Sequence, residues 1–150
     1  NAKMNEFQSV IGLLSLEIVE EEIANRRKVA ETYFEMLKNI KGIKVFNNFD
    51  GYDYNYAYFP VLIDENEFGA SREKVYDELK KHNIFARRYF YPLISNMPTY
   101  RSLPSAAKEN LPVANRIGEQ VLCLPIYGKL KVESINSICD LIRKINQWRF

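Results

Sequence analysis

Two arginines followed by three aromatic residues, Arg87–Arg88–Tyr89–Phe90–Tyr91, and then Pro92 form the densest polar–aromatic constellation in the chain. An arginine stays charged at any working pH, and its planar fork matches two phosphate oxygens. Adjacent residues of an extended segment alternate faces, so one of the two arginines would point into a cleft while the other points away. Phosphate binding is one reading of the pair, and charge protecting an edge strand is the other. Other chemistry is tightly bounded. His82 is the only histidine, set between Lys81 and Asn83, so any Ser–His or Cys–His pair would rest on it alone. Cys123 and Cys139 are the only cysteines. That removes most zinc sites, and no metal site is predicted. Two cysteines do not make a secreted disulfide framework, so free thiols in a reducing cytoplasm are expected. The six glycines are scattered singly, without a Gly-rich phosphate loop.

The elements that must position these residues follow from spacing. Phe7, Val10, Ile11, Leu14 and Ile18, then Val29, Tyr33, Leu37 and Ile40, recur at three- and four-residue steps. Asn5 is the expected N-cap, with Gln8 three positions on as in a capping box. Gly42 is the expected stop. A helix from Asn5 to Ile40 would run about 50 Å, a length that bridges two domains or packs on a partner. Glu20–Glu21–Glu22 is either a bend in it or a solvated face.

A strand-rich stretch comes next. Ile43–Phe46 is short and apolar, and Asn47–Gly51 reads as a turn. Tyr52, Tyr54, Tyr56 and Tyr58 alternate with Asp53, Asn55 and Ala57 and continue through Val61 and Ile63, which predicts a strand with its tyrosines on one face. Such a row suits stacked bases or a half-buried sheet face, and the lack of basic residues between Lys44 and Arg72 favours the sheet. Pro60 points to an edge or a bulge. Ser71 caps a helix carrying Val75 and Leu79 that ends near Asn83, and Ile84–Phe90 is extended up to Pro92. Residues 95–111, with Pro98 and Pro104, read as a long loop holding a short helical turn. Pro112 opens a short helix. Val121–Leu124 is a strand, and Val132, Ile135, Ile138, Cys139, Ile142 and Ile145 mark a terminal amphipathic helix. The layout is α+β, one long helix and then a small sheet with helices packed on it.

Composition sets the frame. The chain has 150 residues, the size of one domain, with 47% hydrophobic and 27% charged residues. A formal net charge of +2 is no nucleic-acid footprint. No apolar run reaches the roughly 20 residues of a membrane span. The chain starts at Asn1 inside a polar motif, which suggests a processed chain or a fragment of something longer.

Three segments carry a family resemblance. The opening N-A-K-M-N-E-F-Q-S-V-I-G-L-L-S-L resembles the N-x-[RK]-M-x-E-x-Q-A-A-x-G-L motif of the DegT/StrS-type sugar aminotransferases. N-I-F-A-R-R-Y-F-Y-P-L is similar to that family's strand leading to a Y-x-P-L element. L-P-V-A-N-R-I-G-E-Q-V-L-C-L-P-I-Y looks like its L-P-x-A…V-L-x-L-P-x-Y signature. The resemblance covers nearly the whole chain. It implies the C-terminal small domain of a fold-type-I, pyridoxal-phosphate-dependent enzyme, with a linking helix over about 5–40 and the small domain over about 43–150.

The resemblance further implies a homodimeric transaminase that aminates a keto-sugar nucleotide with glutamate. F-Y-P-L-I-S looks closest to relatives acting on dTDP-3-oxo-6-deoxyhexoses. The Schiff-base lysine and the aspartate facing the pyridine nitrogen belong to the family's preceding large domain, so the 150 residues alone are expected to be inactive. Asn1 matches the asparagine that reaches the cofactor phosphate of the neighbouring subunit. The element around Tyr89 borders the nucleotide-sugar site of relatives, and there Arg88 is a candidate partner for the substrate diphosphate, with Arg87 as the next candidate. Tyr89 stands where many relatives have histidine, and Tyr91 is placed to contact the hexose. The alternative is a non-enzymatic ligand-binding or dimerisation module sharing the fold. Without a large domain, the stripe at Phe7, Val10, Ile11 and Leu14 is expected to drive self-association.

Overall fold

The computed structural model describes residues 3–46, 51–89 and 91–147. Helix α1 (Glu6–Leu37) opens with the expected capping box. The Asn5 side chain accepts from the Gln8 amide at 2.9 Å, and the Asn5 amide donates to the Gln8 side chain at 3.0 Å. The helix runs through Glu20–Glu21–Glu22 without a break; Glu20 and Glu21 are exposed, while Glu22 is half-buried beside Gly128. It ends before Gly42, which then takes φ +77° beside Phe68. A Cβ there would lie 2.3 Å from the Phe68 amide nitrogen, so both sterics and backbone demand glycine.

Strands β1 (Ile43–Val45), β2 (Phe59–Ile63) and β3 (Val121–Leu124) form one antiparallel sheet in that order. Pro60 is tolerated in the central strand because β1 pairs only with Val61–Ile63, so Pro60 lies beyond its end. The long tyrosine strand does not form. Only Phe59–Ile63 is ladder, while Tyr56 adopts φ +51° and breaks the alternation. The Tyr54 hydroxyl donates to the Tyr58 carbonyl at 3.0 Å, a local turn that replaces strand pairing. The Asn47–Gly51 turn falls almost wholly outside the described residues.

Asp64 caps a short helix α2 (Glu65–Phe68), absent from the periodicity because four residues show no period. Ser71 caps α3 (Arg72–Lys81), Pro112 opens α4 (Pro112–Gln120), and α5 (Val132–Gln147) closes the chain. Residues 94–110 hold three single turns of tight helix. The core lies between sheet, α3, α5 and the second half of α1, around Tyr33, Leu37, Phe68, Val75, Leu122 and Ile142. The Tyr33 ring stacks on Phe59 at 5.0 Å and its hydroxyl donates to the Pro125 carbonyl at 3.0 Å. This is an α+β fold, as its composition of elements predicted.

Candidate functional site

The extended segment from Ile84 is held to the sheet at one point. Arg87 and Cys123 exchange two backbone hydrogen bonds, at 2.9 and 2.8 Å. This single bridge sets the faces of the arginine pair. Arg87 lines a cleft of 260 Å³ with Tyr58, Phe85, Cys123 and Tyr127. Arg88 turns the other way, onto α3. There its Nη1 donates to Glu73 Oε2 at 3.0 Å. Its guanidinium also lies over the rings of Tyr76 and Tyr91, at 4.7 and 5.1 Å.

A second arginine meets the same carboxylate. Arg72 is the first residue of α3 and only 4% exposed. Its Nη2 forms an ion pair with Glu73 Oε1 at 2.8 Å, its Nη1 donates to the Val121 carbonyl at 3.3 Å, and its guanidinium lies over the Tyr91 ring at 5.0 Å. Its Nε is buried without a hydrogen-bond partner, a cost of about 1–3 kcal/mol. Burial pushes the Arg72 guanidinium below its ordinary range, Glu73 opposes that, and Arg88 adds to it. Two guanidiniums thus share one carboxylate, with Glu119 a further negative neighbour of Arg72.

Tyr91 joins this charge to an apolar cleft. With Pro92, Leu93, Ile94, Met97 and Leu111 it lines a space of 480 Å³. Leu93 seats against α4 at Gly118, where an added Cβ would come within 3.0 Å of it. Tyr89 is half-buried and its ring meets Tyr58 at 4.7 Å. The structure therefore brings Arg88 and Tyr91 together directly, while Tyr89 packs towards the Arg87 cleft through Tyr58. Asn1 lies outside the described residues. Arg72, Glu73 and Tyr76 escaped the sequence reading. Their signal was faint: a cation in the first turn of a helix, where the macrodipole disfavours it.

The remaining reactive groups are quiet. Burial pushes the Cys123 thiol up to about 11, against a smaller opposing pull from Arg87, and the Cys139 thiol up to about 12. Neither is a nucleophile at neutral pH. His82 lines an open cleft of 770 Å³ with Phe85, Ser137 and Lys144, but the Ser137 hydroxyl donates to the Glu133 carbonyl at 2.8 Å. Among the described residues no cluster of three His, Cys, Asp or Glu could hold a metal, and no helix is long and apolar enough to cross a membrane. A lysine that carries pyridoxal phosphate must react as a free amine, which calls for a lowered pKa. Lys81 is bonded to Glu78 at 2.7 Å, which raises it instead, and Lys38 pairs with Glu35. Neither of these two fits that role.

Comparison with known proteins places this site in a family. The profile of the DegT/DnrJ/EryC1/StrS aminotransferase family matches residues 1–143, and the chain belongs to that family. A dTDP-4-amino-4,6-dideoxy-D-glucose transaminase of Escherichia coli is 46% identical over 142 residues, covering 95% of this chain and 38% of that protein. A protein of the same name from Shigella dysenteriae is 35% identical, covering 97% of this chain and 39% of its own length. The chain thus spans less than two fifths of these relatives. The crystal structure of DesI in the presence of its TDP-sugar product superposes with a TM-score of 0.91 at 32% identity, over 99% of this chain and 38% of that one.

Proposed function

We propose that this chain is the C-terminal small domain of a homodimeric, cytoplasmic, pyridoxal-phosphate-dependent transaminase that aminates a dTDP-linked keto-6-deoxyhexose, with glutamate as donor. Membership of the family and the printed names of its relatives support the reaction class. Those names carry the amino group on carbon 4, which favours a 4-oxo sugar over the 3-oxo sugar suggested by F-Y-P-L-I-S. We place the cofactor's lysine outside this chain, in the large domain that the family resemblance puts before it. Bound pyridoxal phosphate supplies the electron sink for moving an amino group. Asn1 is assigned to the cofactor phosphate of the neighbouring subunit.

The observation that carries the substrate role is the pair of guanidiniums on one carboxylate beside an apolar cleft. Each guanidinium takes only one oxygen of Glu73, which leaves Arg88 with donors for an anion. Arg88, with about a third of its side chain open to solvent, holds the diphosphate. Tyr91, more than half exposed at the mouth of the cleft, faces the hexose, and Tyr89 fixes the segment between them through Tyr58.

The test is Arg88→Ala in the full-length enzyme. KM for the nucleotide sugar should rise about tenfold to a hundredfold, the loss of one charge-assisted contact of about 1.5–3 kcal/mol. The penalty should shrink as salt rises. The glutamate half-reaction should not change. A lowered melting temperature with KM untouched would return Arg88 to a structural role and pass the diphosphate to Arg87. Offering 3-oxo and 4-oxo sugars to the same enzyme decides the position of amination.

A further inference from the structure

Local rules disfavour an arginine at position 72. It is the first residue of α3, where the helix dipole repels a cation, it is 4% exposed, and its Nε has no partner. Such conflicts gather where a residue serves a site rather than the fold. The side chain nonetheless reaches three elements at once. It bonds Glu73 in α3 and the Val121 carbonyl at the start of β3, and it covers the Tyr91 ring on the segment beyond the arginine pair.

We infer that Arg72 is a positioning residue for the anion site: by occupying one oxygen of Glu73 and one side of Tyr91, it fixes the orientation of Arg88 and keeps it from being fully neutralised. The geometry is specific. Glu73 Oε1 goes to Arg72 at 2.8 Å and Oε2 to Arg88 at 3.0 Å, so neither guanidinium takes the carboxylate with both prongs of its fork. Tyr91 lies under both cations, at 5.0 and 5.1 Å. Without Arg72, Glu73 would be free to close on Arg88 bidentately, and the Tyr91 ring would lose one of its two cationic neighbours. A lysine would keep the charge but could not bond Glu73 and the Val121 carbonyl while lying flat on Tyr91. The consequence for substrate rests on the proposed function of Arg88, whereas the positional role does not.

The experiment uses the full-length protein and two variants, Arg72→Lys and Glu73→Ala, the second at a half-exposed site that does not threaten folding. The direct readout is the Nε–H resonance of Arg88 in a spectrum of arginine side chains, taken without substrate. It should be sharp and displaced in the parent, collapse towards the free-arginine position in Glu73→Ala, and move to a third, still displaced position in Arg72→Lys as Glu73 closes on Arg88. Arg72→Lys should also raise KM for the nucleotide sugar about tenfold with kcat nearly unchanged, one charge-assisted contact being lost. Added to Arg88→Ala it should cost nothing more, because the two act through one contact. An unmoved Arg88 resonance in either variant overturns the proposal, as does a KM effect that adds to that of Arg88→Ala. If Arg88→Ala itself leaves KM unchanged, the substrate reading fails, and the resonance alone still decides the role of Arg72.

Discussion

Within the single helix α1, Val29, Ala30, Tyr33 and Leu37 are buried against the sheet and α5, whereas Phe7, Val10, Ile11, Leu14 and Ile18 face solvent. Phe7 is 83% exposed and Tyr33 is 0% exposed, about seven turns apart on one continuous helix. Both halves show the same apolar spacing. The spacing makes each half helical and amphipathic. It does not decide whether anything covers the stripe, which depends on what the other elements bring to it. For the second half that is α5 and β1. The first half has a cap and a pattern but no part of the described core.

Substitutions should separate the halves, from the deepest residue outwards. Leu37→Ala should cost about 2–5 kcal/mol of global stability in a denaturant titration, because it opens a cavity in the packed half. Tyr33→Phe should cost about 1 kcal/mol, since it removes the hydroxyl bond to Pro125 while keeping the ring. That residue also gives the packed half a pH signature. Burial, helped by Cys139 and Tyr127, raises the Tyr33 phenol, and burial raises the Cys139 thiol to about 12. Both groups are neutral when protonated, and their folded pKa values exceed the unfolded ones. The stability they confer is therefore complete below about pH 8.5, the unfolded thiol value, and is lost as pH climbs towards 12. A melting midpoint that stays level to pH 8 and then declines, less steeply in Tyr33→Phe, would show it.

The exposed half should respond differently. Asn5→Ala removes the capping bond and should weaken the first turns locally, by about 0.5–2 kcal/mol in amide exchange. Global unfolding should not move. Leu14→Glu should change folding stability by no more than about 0.5 kcal/mol, yet abolish concentration-dependent association of the 150-residue chain in sedimentation. A Leu14→Glu penalty as large as that of Leu37→Ala would mean that the two halves are not distinct.

Capping and breaking residues made most of the elements legible in the sequence. Asn5, Ser71 and Pro112 each begin the helix assigned to them, because a cap or a fixed φ acts through neighbours within one turn. Tyr52–Tyr58 misled because alternation is necessary for a half-buried strand but not sufficient. Among the described residues no neighbouring strand extends to pair with it, and Tyr56 turns out of line. The site was half legible. Arg88 and Tyr91 stood out as a dense local constellation. Arg72 and Glu73 lie 15 residues and more away in the chain and meet Arg88 only through the fold. Which arginine faces which way depended on the one bridge to Cys123, a long-range pairing that no local pattern encodes.

The bonds that fasten the end of α1 have a consequence in time. Arg143 Nη2 donates to the Met36 carbonyl at 2.7 Å across a sequence separation of 107 residues. Asn146 Nδ2 donates to the Lys41 carbonyl, just past the end of α1, at 3.3 Å and 105 residues away. Both donors sit on α5, which leaves the ribosome after all the other described elements. At about 5–20 residues per second, α1 waits on the order of 5–20 s before its fastening strap is synthesised. Throughout that interval the second half of the helix, too, lacks its cover from α5. Nascent chains of this protein should therefore bind chaperones along all of α1, and release them from the second half only once α5 has emerged.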